Sequence, residues 1–212
     1  IKFAASLGGF LRFAGSRGLS VQKLEERRTA ACQRVLGPKH AETLTSMNDL
    51  ALCYYDRGDF DEALKLQERV LKARTQLEGA EHPRTLSSMT NLALTLDAKG
   101  DYKGAQKLQE HVLAARMRTL GAEHPATLTS MNNLATTLRN RGDLQGALKW
   151  DERVVEAMTR LLGPEHPSAL TSISNLASTL HRSGDLRGAK KMFERVLETS
   201  TRLLGVDHVD TL

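Results

Sequence analysis

One motif returns along this chain every 42 residues, and that interval limits the fold more than any other property. It reads Gly37-Pro38-Lys39-His40, Gly79-Ala80-Glu81-His82-Pro83, Gly121-Ala122-Glu123-His124-Pro125, Gly163-Pro164-Glu165-His166-Pro167 and Gly205-Val206-Asp207-His208. The histidines stand at 40, 82, 124, 166 and 208 with no insertion between them. A fixed interval of this length marks a stack of supersecondary units that bury their apolar faces only against one another. The 212 residues divide into a basic extension at 1–19, a half-repeat at 20–40, four repeats at 41–82, 83–124, 125–166 and 167–208, and the opening of a fifth at 209–212.

Each repeat is predicted to be a helical hairpin. In the third, Pro125 stands at the first helical position, where its missing N–H leaves nothing unsatisfied. Leu128, Met131, Leu134, Ala135 and Leu138 follow three and four residues apart, and Gly142 stops the helix. Asp143 is a candidate N-cap for the second helix, which carries Leu144, Ala147, Leu148, Val154, Val155, Met158 and Leu161 up to a left-handed stop at Gly163. The Gly-Asp pair recurs as Gly58-Asp59, Gly100-Asp101 and Gly184-Asp185. Alanine columns, Ala51, Ala93, Ala135 and Ala177 in the first helices and Ala63, Ala105, Ala147 and Ala189 in the second, let helices cross at about 8 Å. Met47, Met89, Met131 and Ile173, with Leu50, Leu92, Leu134 and Leu176, fill the space beside them. The expected fold is all-α, an α-solenoid whose hairpins wind into a right-handed superhelix with a concave surface lined by the first helices.

Composition agrees and excludes several functions. Aromatic residues make up only 4% of the chain and apolar residues 40%, which suits small interlocking helices better than a sheet sandwich. The net charge is +5, but 30 Lys and Arg are interleaved with 25 Asp and Glu, so there is no basic face for nucleic acid. No run of 18 apolar residues offers a transmembrane segment. Cys32 and Cys53 lack metal spacing and cannot build a disulfide framework; they fit as small core residues in a reducing compartment.

The His ladder invites a metal hypothesis that geometry defeats. Equivalent residues of stacked repeats stand roughly 8–10 Å apart, whereas imidazole ligands lie about 2 Å from one ion. The better role for each His is at the loop entering a helix, bonding a free backbone group. Adjacent pairs such as Glu68-Arg69, Glu152-Arg153 and Glu194-Arg195 point about 100° apart and suit a surface ladder between repeats rather than acid–base work. No phosphate loop, nucleophile elbow or zinc motif occurs, so no catalysis and no cofactor are expected. Trp150 falls in a core column with Leu66, Leu108 and Met192, while Phe193 breaks a polar column of Gln67, Gln109 and Asp151 and is a candidate contact with another repeat or a partner.

The run from Leu120 to Val155, Leu-Gly-x-Glu-His-Pro-x-x-Leu-x-Ser-Met-Asn-Asn-Leu-Ala followed by Gly-Asp-x-x-x-Ala and Glu-Arg-Val, resembles the tetratricopeptide repeat of kinesin light chains and nephrocystin-3-like proteins. The similarity spans residues 20–212. No heptads precede the array in this sequence, which points away from an intact kinesin light chain. The resemblance implies that a peptide or partner helix lies along the concave groove, gripped by polar side chains of the first helices. Matched position by position, the gripping column is Asp49, Asn91, Asn133 and Asn175, and the column before it is Asn48, Thr90, Asn132 and Ser174. An amide suits the task because it donates and accepts at once. One turn on, Tyr55, Asp56, Asp97 and Ala98 give way to Arg139, Asn140, His181 and Arg182. The sign change predicts that an acidic segment prefers the Arg139, His181 and Arg182 end.

The extension breaks the register, with Gly8 and Gly9 where Leu50 and Ala51 stand in the first repeat. From Ser20 the register returns, Val21, Leu24, Ala31 and Val35 aligning with Ala63, Leu66, Ala73 and Leu77 as a capping second helix. The first 23 residues carry Lys2, Arg12, Arg17 and Lys23 and no acid, a composition shared by organellar transit peptides and equally open to a docking extension. The expected location is intracellular, in the cytoplasm or in a plastid or mitochondrion. At the far end, the apolar face of the fourth repeat is expected to be covered by further repeats or by a partner. Together these features predict a non-enzymatic interaction scaffold within a hetero-complex, with a kinesin-light-chain-like cargo adaptor as the alternative.

Overall fold

The structure is a computed structural model that describes residues 15–204; the expectations placed on residues 1–14 and 205–212 lie outside the described residues. The chain is all-α. In order, the helices are α1 (Gly15–Leu36), α2 (Ala41–Asp56), α3 (Phe60–Glu78), α4 (Pro83–Lys99), α5 (Tyr102–Leu120), α6 (Pro125–Arg141), α7 (Leu144–Leu162), α8 (Pro167–Ser183) and α9 (Leu186–Leu204). They pack as consecutive hairpins of the solenoid class. Two compact units are formed, one ending at Leu108 and the other beginning at Gln109. Within the first, α1 packs on α2, α2 on α3 and α3 on α4; within the second, α6 packs on α7, α7 on α8 and α8 on α9, and α6 also touches α8.

Local chemistry sets the helix ends. His40, His82, His124 and His166 are extended N-cap residues, and each Nδ1 accepts a hydrogen bond from the backbone N–H two residues on, at 3.1 to 3.3 Å. The ladder of imidazoles thus satisfies donors that a helix start leaves orphaned. Pro83, Pro125 and Pro167 follow at the first helical position.

The Gly-Asp pair works at two helices at once. Gly142 takes a left-handed conformation (φ 93°, ψ 2°), and the Asp143 N–H closes back on the Leu138 carbonyl at 2.9 Å. The Asp143 carboxylate then accepts from the Gly146 N–H at 2.9 Å and starts α7. Asp101 and Asp185 cap Gly104 and Gly188 in the same way. A Cβ on Gly146 would stand 2.7 Å from the Asp143 carboxylate, which explains the glycine. In the first repeat that position is Glu62, and Asp59 makes no side-chain cap. The stops of the second helices differ in detail from the expectation: Gly79 and Gly163 combine φ near 90° with ψ of 161° and 156°, a region open only to glycine, rather than the left-handed helical one.

All eight column alanines are buried, as are Met47, Met89, Met131 and Ile173. In the C-terminal unit Leu128, Met131, Leu134 and Leu138 of α6 pack with Ala147, Val154 and Ala157 of α7, and Trp150 leans on this cluster with Arg153 over its ring at 5.8 Å.

Helix α1 departs from its expected form. It is already helical at Gly15, within the predicted extension, and Leu24, Ala31 and Val35 face solvent. Val21, Glu25 and Thr29 are the buried residues, so the capping helix meets α2 through a mixed polar face. Arg28 joins the Asp49 carboxylate at 2.5 Å and Glu25 at 2.9 Å.

Candidate protein-interaction face

The buried faces of the first helices are taken by the stack, which leaves the opposite face to meet solvent. On α2 the stack holds Leu44, Met47, Leu50 and Ala51, whereas Asn48, Asp49, Leu52 and Tyr55 are half-buried and Asp56 is exposed. The same register on α4 leaves Thr90 and Asn91 half-buried. The Asn91 side-chain amide donates to the Asn48 Oδ1 at 2.9 Å, which ties the solvent faces of α2 and α4 side by side. Each amide keeps further hydrogen-bonding capacity.

In the C-terminal unit Asn132 and Asn133 on α6 and Ser174 and Asn175 on α8 are half-buried at the same register. Ser174 and Asn175 border a hollow of about 360 Å³ with Leu170, Val196 and Leu203. His181 borders a second, of about 550 Å³, with Phe193 and Leu197. His181 and Arg182 are exposed, and Arg182 approaches the Asn140 Oδ1 at 3.5 Å.

Arg139 is placed differently from these. Its side chain is only 12% exposed and lies 3.6 Å from the Asp151 carboxylate. Its guanidinium donates to the Asn175 carbonyl at 3.1 Å, the Thr179 hydroxyl at 2.9 Å and the Thr136 hydroxyl at 3.2 Å. Asp151 is 1% exposed and accepts from Thr179 at 2.5 Å. Burial pushes the Asp151 carboxyl above the usual range, against the pull of Thr179 and Arg139. The charge of Arg139 is therefore directed inward, across the joint between α6, α7 and α8.

Three features escaped the sequence reading. The polar column of Gln67, Gln109 and Asp151 is buried, each residue at most 2% exposed, so Phe193 continues a packing column and is 41% exposed because nothing among the described residues covers α9 there. Buried Arg74 donates to the Arg84 carbonyl and the Ser88 hydroxyl of the next first helix, and Arg116 repeats this with Ala126 and Ser130. Burial lowers the affinity of both guanidinium groups for their protons. The signal for this clasp was present as arginines 42 residues apart. The surface ladder is formed by Arg160 with Glu123, Arg202 with Glu165 and Lys99 with Asp61, rather than by the adjacent Glu-Arg pairs. Cys32 and Cys53 form no disulfide and are half-buried, at the edge of the packing rather than in the core as expected.

Among the described residues no group of His, Cys, Asp and Glu is arranged to hold a metal ion, and no helix is long and apolar enough to cross a membrane. The tetratricopeptide repeat profile matches residues 5–76, 50–118, 98–153 and 131–202. The nearly identical TPR-like repeats of a Podosopora anserina protein provisionally called a kinesin light chain are 30% identical, with a TM-score of 0.80 over 94% of each chain. A point variant of the same repeats gives 0.82 over 93% of this chain and 92% of that one. BtubC (BKLC) from P. vanneervenii, at 18% identity, shares the fold with a TM-score of 0.74 over 89% of this chain and 75% of that one. No curated protein matches the sequence. The chain belongs to the tetratricopeptide repeat family, a family of protein-interaction modules, and is structurally close to its kinesin-light-chain-like members.

Proposed function

We propose that this protein is a non-enzymatic scaffold that takes a peptide or a partner helix along the groove lined by its first helices, as an accessory subunit of a larger complex. The observation that carries this reading is the amide column of Asn91, Asn133 and Asn175. It stands at one register on the face that stacking leaves open, with Asn91 bonded to Asn48. Asparagine is a poor helix former, so helix propensity gives no reason for its recurrence there. Asn132 adds a second amide on α6, and His181 and Arg182 supply exposed donors for an acidic segment. Arg139 supports that end mainly by holding α8.

The test is affinity purification with mass spectrometry, comparing wild type with an Asn91→Ala, Asn133→Ala, Asn175→Ala variant. The variant is expected to lose partners; equal recovery removes the groove as the binding surface. The similarity to kinesin-light-chain-like repeats favours a second reading, a cargo adaptor, which requires that an acidic cargo peptide bind and that His181→Ala with Arg182→Ala release it. We place the protein inside the cell, in the cytoplasm or an organelle. A fluorescent protein carrying the first 23 residues tests the organelle, and a diffuse cytosolic signal removes it.

A further inference from the structure

The two units present different chemistry on the open faces of their first helices. One column reads Leu52 and Leu94 in the N-terminal unit but Thr136 and Ser178 in the C-terminal unit. Leu94 is 38% exposed, and every other large apolar side chain that is exposed among the described residues sits on α1 or on a second helix. The stack does not require leucine there, since the same register accepts a hydroxyl two repeats on. Beside this column stand half-buried Tyr55 and exposed Asp56, where the C-terminal unit has Arg139 and Asn140.

We propose that the strip formed by Leu52, Tyr55, Asp56 and Leu94 docks a partner segment in which an apolar side chain is flanked by lysine or arginine. This inference rests on the reading of the first-helix face as the binding surface. Equivalent positions on neighbouring first helices stand on the order of 10 Å apart, which leaves room for one apolar side chain between Leu52 and Leu94. Asp56 faces solvent and pairs with the flanking cation, whereas Asp49 is held by Arg28. The bond from Asn91 to Asn48 leaves the Asn48 amide N–H groups and the Asn91 carbonyl oxygen to hold the segment's backbone. The same segment meets hydroxyls and the exposed cation Arg182 in the C-terminal unit, so like charge and lost apolar contact exclude it there.

The test uses the full chain and two short fluorescein-labelled peptides that differ only in whether lysines or glutamates flank a central leucine. Fluorescence anisotropy is expected to show the lysine peptide binding wild type about tenfold tighter than the glutamate peptide. Leu52→Thr with Leu94→Ser imports the residues of the C-terminal unit at the same register, so the fold is retained, as circular dichroism checks. This variant is expected to bind the lysine peptide about tenfold more weakly, and Asp56→Asn about threefold more weakly with a shallower salt dependence. Equal affinity for the two peptides, no binding of the lysine peptide by wild type, or undiminished binding by the leucine variant overturns the proposal. A wild-type mass that doubles in light scattering, and halves again in the leucine variant, makes the strip a self-association surface and overturns it as well. Asn48→Ala with Asn91→Ala separates the two readings. If it loses the lysine peptide while the leucine variant keeps it, the first-helix face stands and the strip's specificity falls; if neither variant changes binding, both fall.

Discussion

Replacing Asp151 by glutamine takes away the carboxylate against which Arg139 is packed and puts in its place the residue found at the same register as Gln67 and Gln109. At the observed 3.6 Å, with an effective dielectric constant of about 20, the attraction between the two charges is about 5 kcal/mol before desolvation. Burial works against it, and strongly enough that the Asp151 carboxyl is pushed up in spite of Thr179 and Arg139. The intact pair is therefore close to neutral in its net contribution, while breaking it leaves a guanidinium that is only 12% exposed. Loss of one partner from such a pair costs about 3–5 kcal/mol. Arg139 keeps its bonds to Asn175, Thr179 and Thr136, so about 3 kcal/mol is expected for the single substitution. Arg139→Tyr added to it copies Tyr55 as well, and the double variant should return to within about 1 kcal/mol of wild type.

Hydrogen exchange across α6 to α8 is the suitable assay, because a repeat array need not unfold in one step and a single global midpoint would average the units. The pH dependence has a definite sign. A carboxyl whose folded value is raised binds its proton more tightly when folded. Its stabilising contribution is present below the unfolded value of about 3.9 and is lost as pH rises through the raised folded value. The coupling between Asp151 and Arg139 is a separate quantity that needs the ionised carboxylate, so it should be largest near neutrality and fade as the solution is acidified through that window. A coupling below about 0.5 kcal/mol at neutral pH, or one that persists unchanged at a pH of about 3, refutes the reasoning.

Three further outcomes are expected. Asp143→Ala should cost about 1 kcal/mol in urea denaturation, but close to nothing in a Gly146→Ala background, where the added Cβ already displaces the cap; equal costs in both backgrounds would exclude the cap. His124→Ala should lower stability by about 1 kcal/mol while His124→Asn restores most of it, as thermal melts would show; no difference between the two would mean that the imidazole is not acting as an N-cap. Met131→Ala empties a fully buried site beside Leu128 and Val154 and should cost about 2–5 kcal/mol, visible as faster exchange throughout α6 and α7.

Much of the fold is legible in the sequence alone, because it is written in positions that act on their immediate neighbours. The His at each first-helix start and the Gly-Asp junction work within a turn of the chain, and the alanine columns, which act between helices, show themselves by recurring at one register. What was hidden depends on reach. Arg74 and Arg116 clasp the following first helix, and Arg139 crosses to α8, through long side chains whose direction a helical register does not give. The column of Gln67, Gln109 and Asp151 looked like a solvent face because its residues are polar, yet a helix with neighbours on two sides buries more than one stripe. The amide column at Asn91, Asn133 and Asn175 was legible as a recurrence. That Asn91 is joined to Asn48 was not, since the two stand 43 residues apart.

The Gly-Asp junction also bears on how such a chain can change length over generations. Each junction fixes the angle between two helices with atoms drawn from a few consecutive residues, so a copied 42-residue block brings its own corner with it. Unequal recombination can then insert or delete whole blocks without compensating mutations at the bends. The arginine clasps reach across a block boundary, since Arg74 needs a serine on the next block; Ser46, Ser88, Ser130 and Ser172 keep that partner at one register in every repeat, so a block carrying the arginine finds it whichever repeat follows.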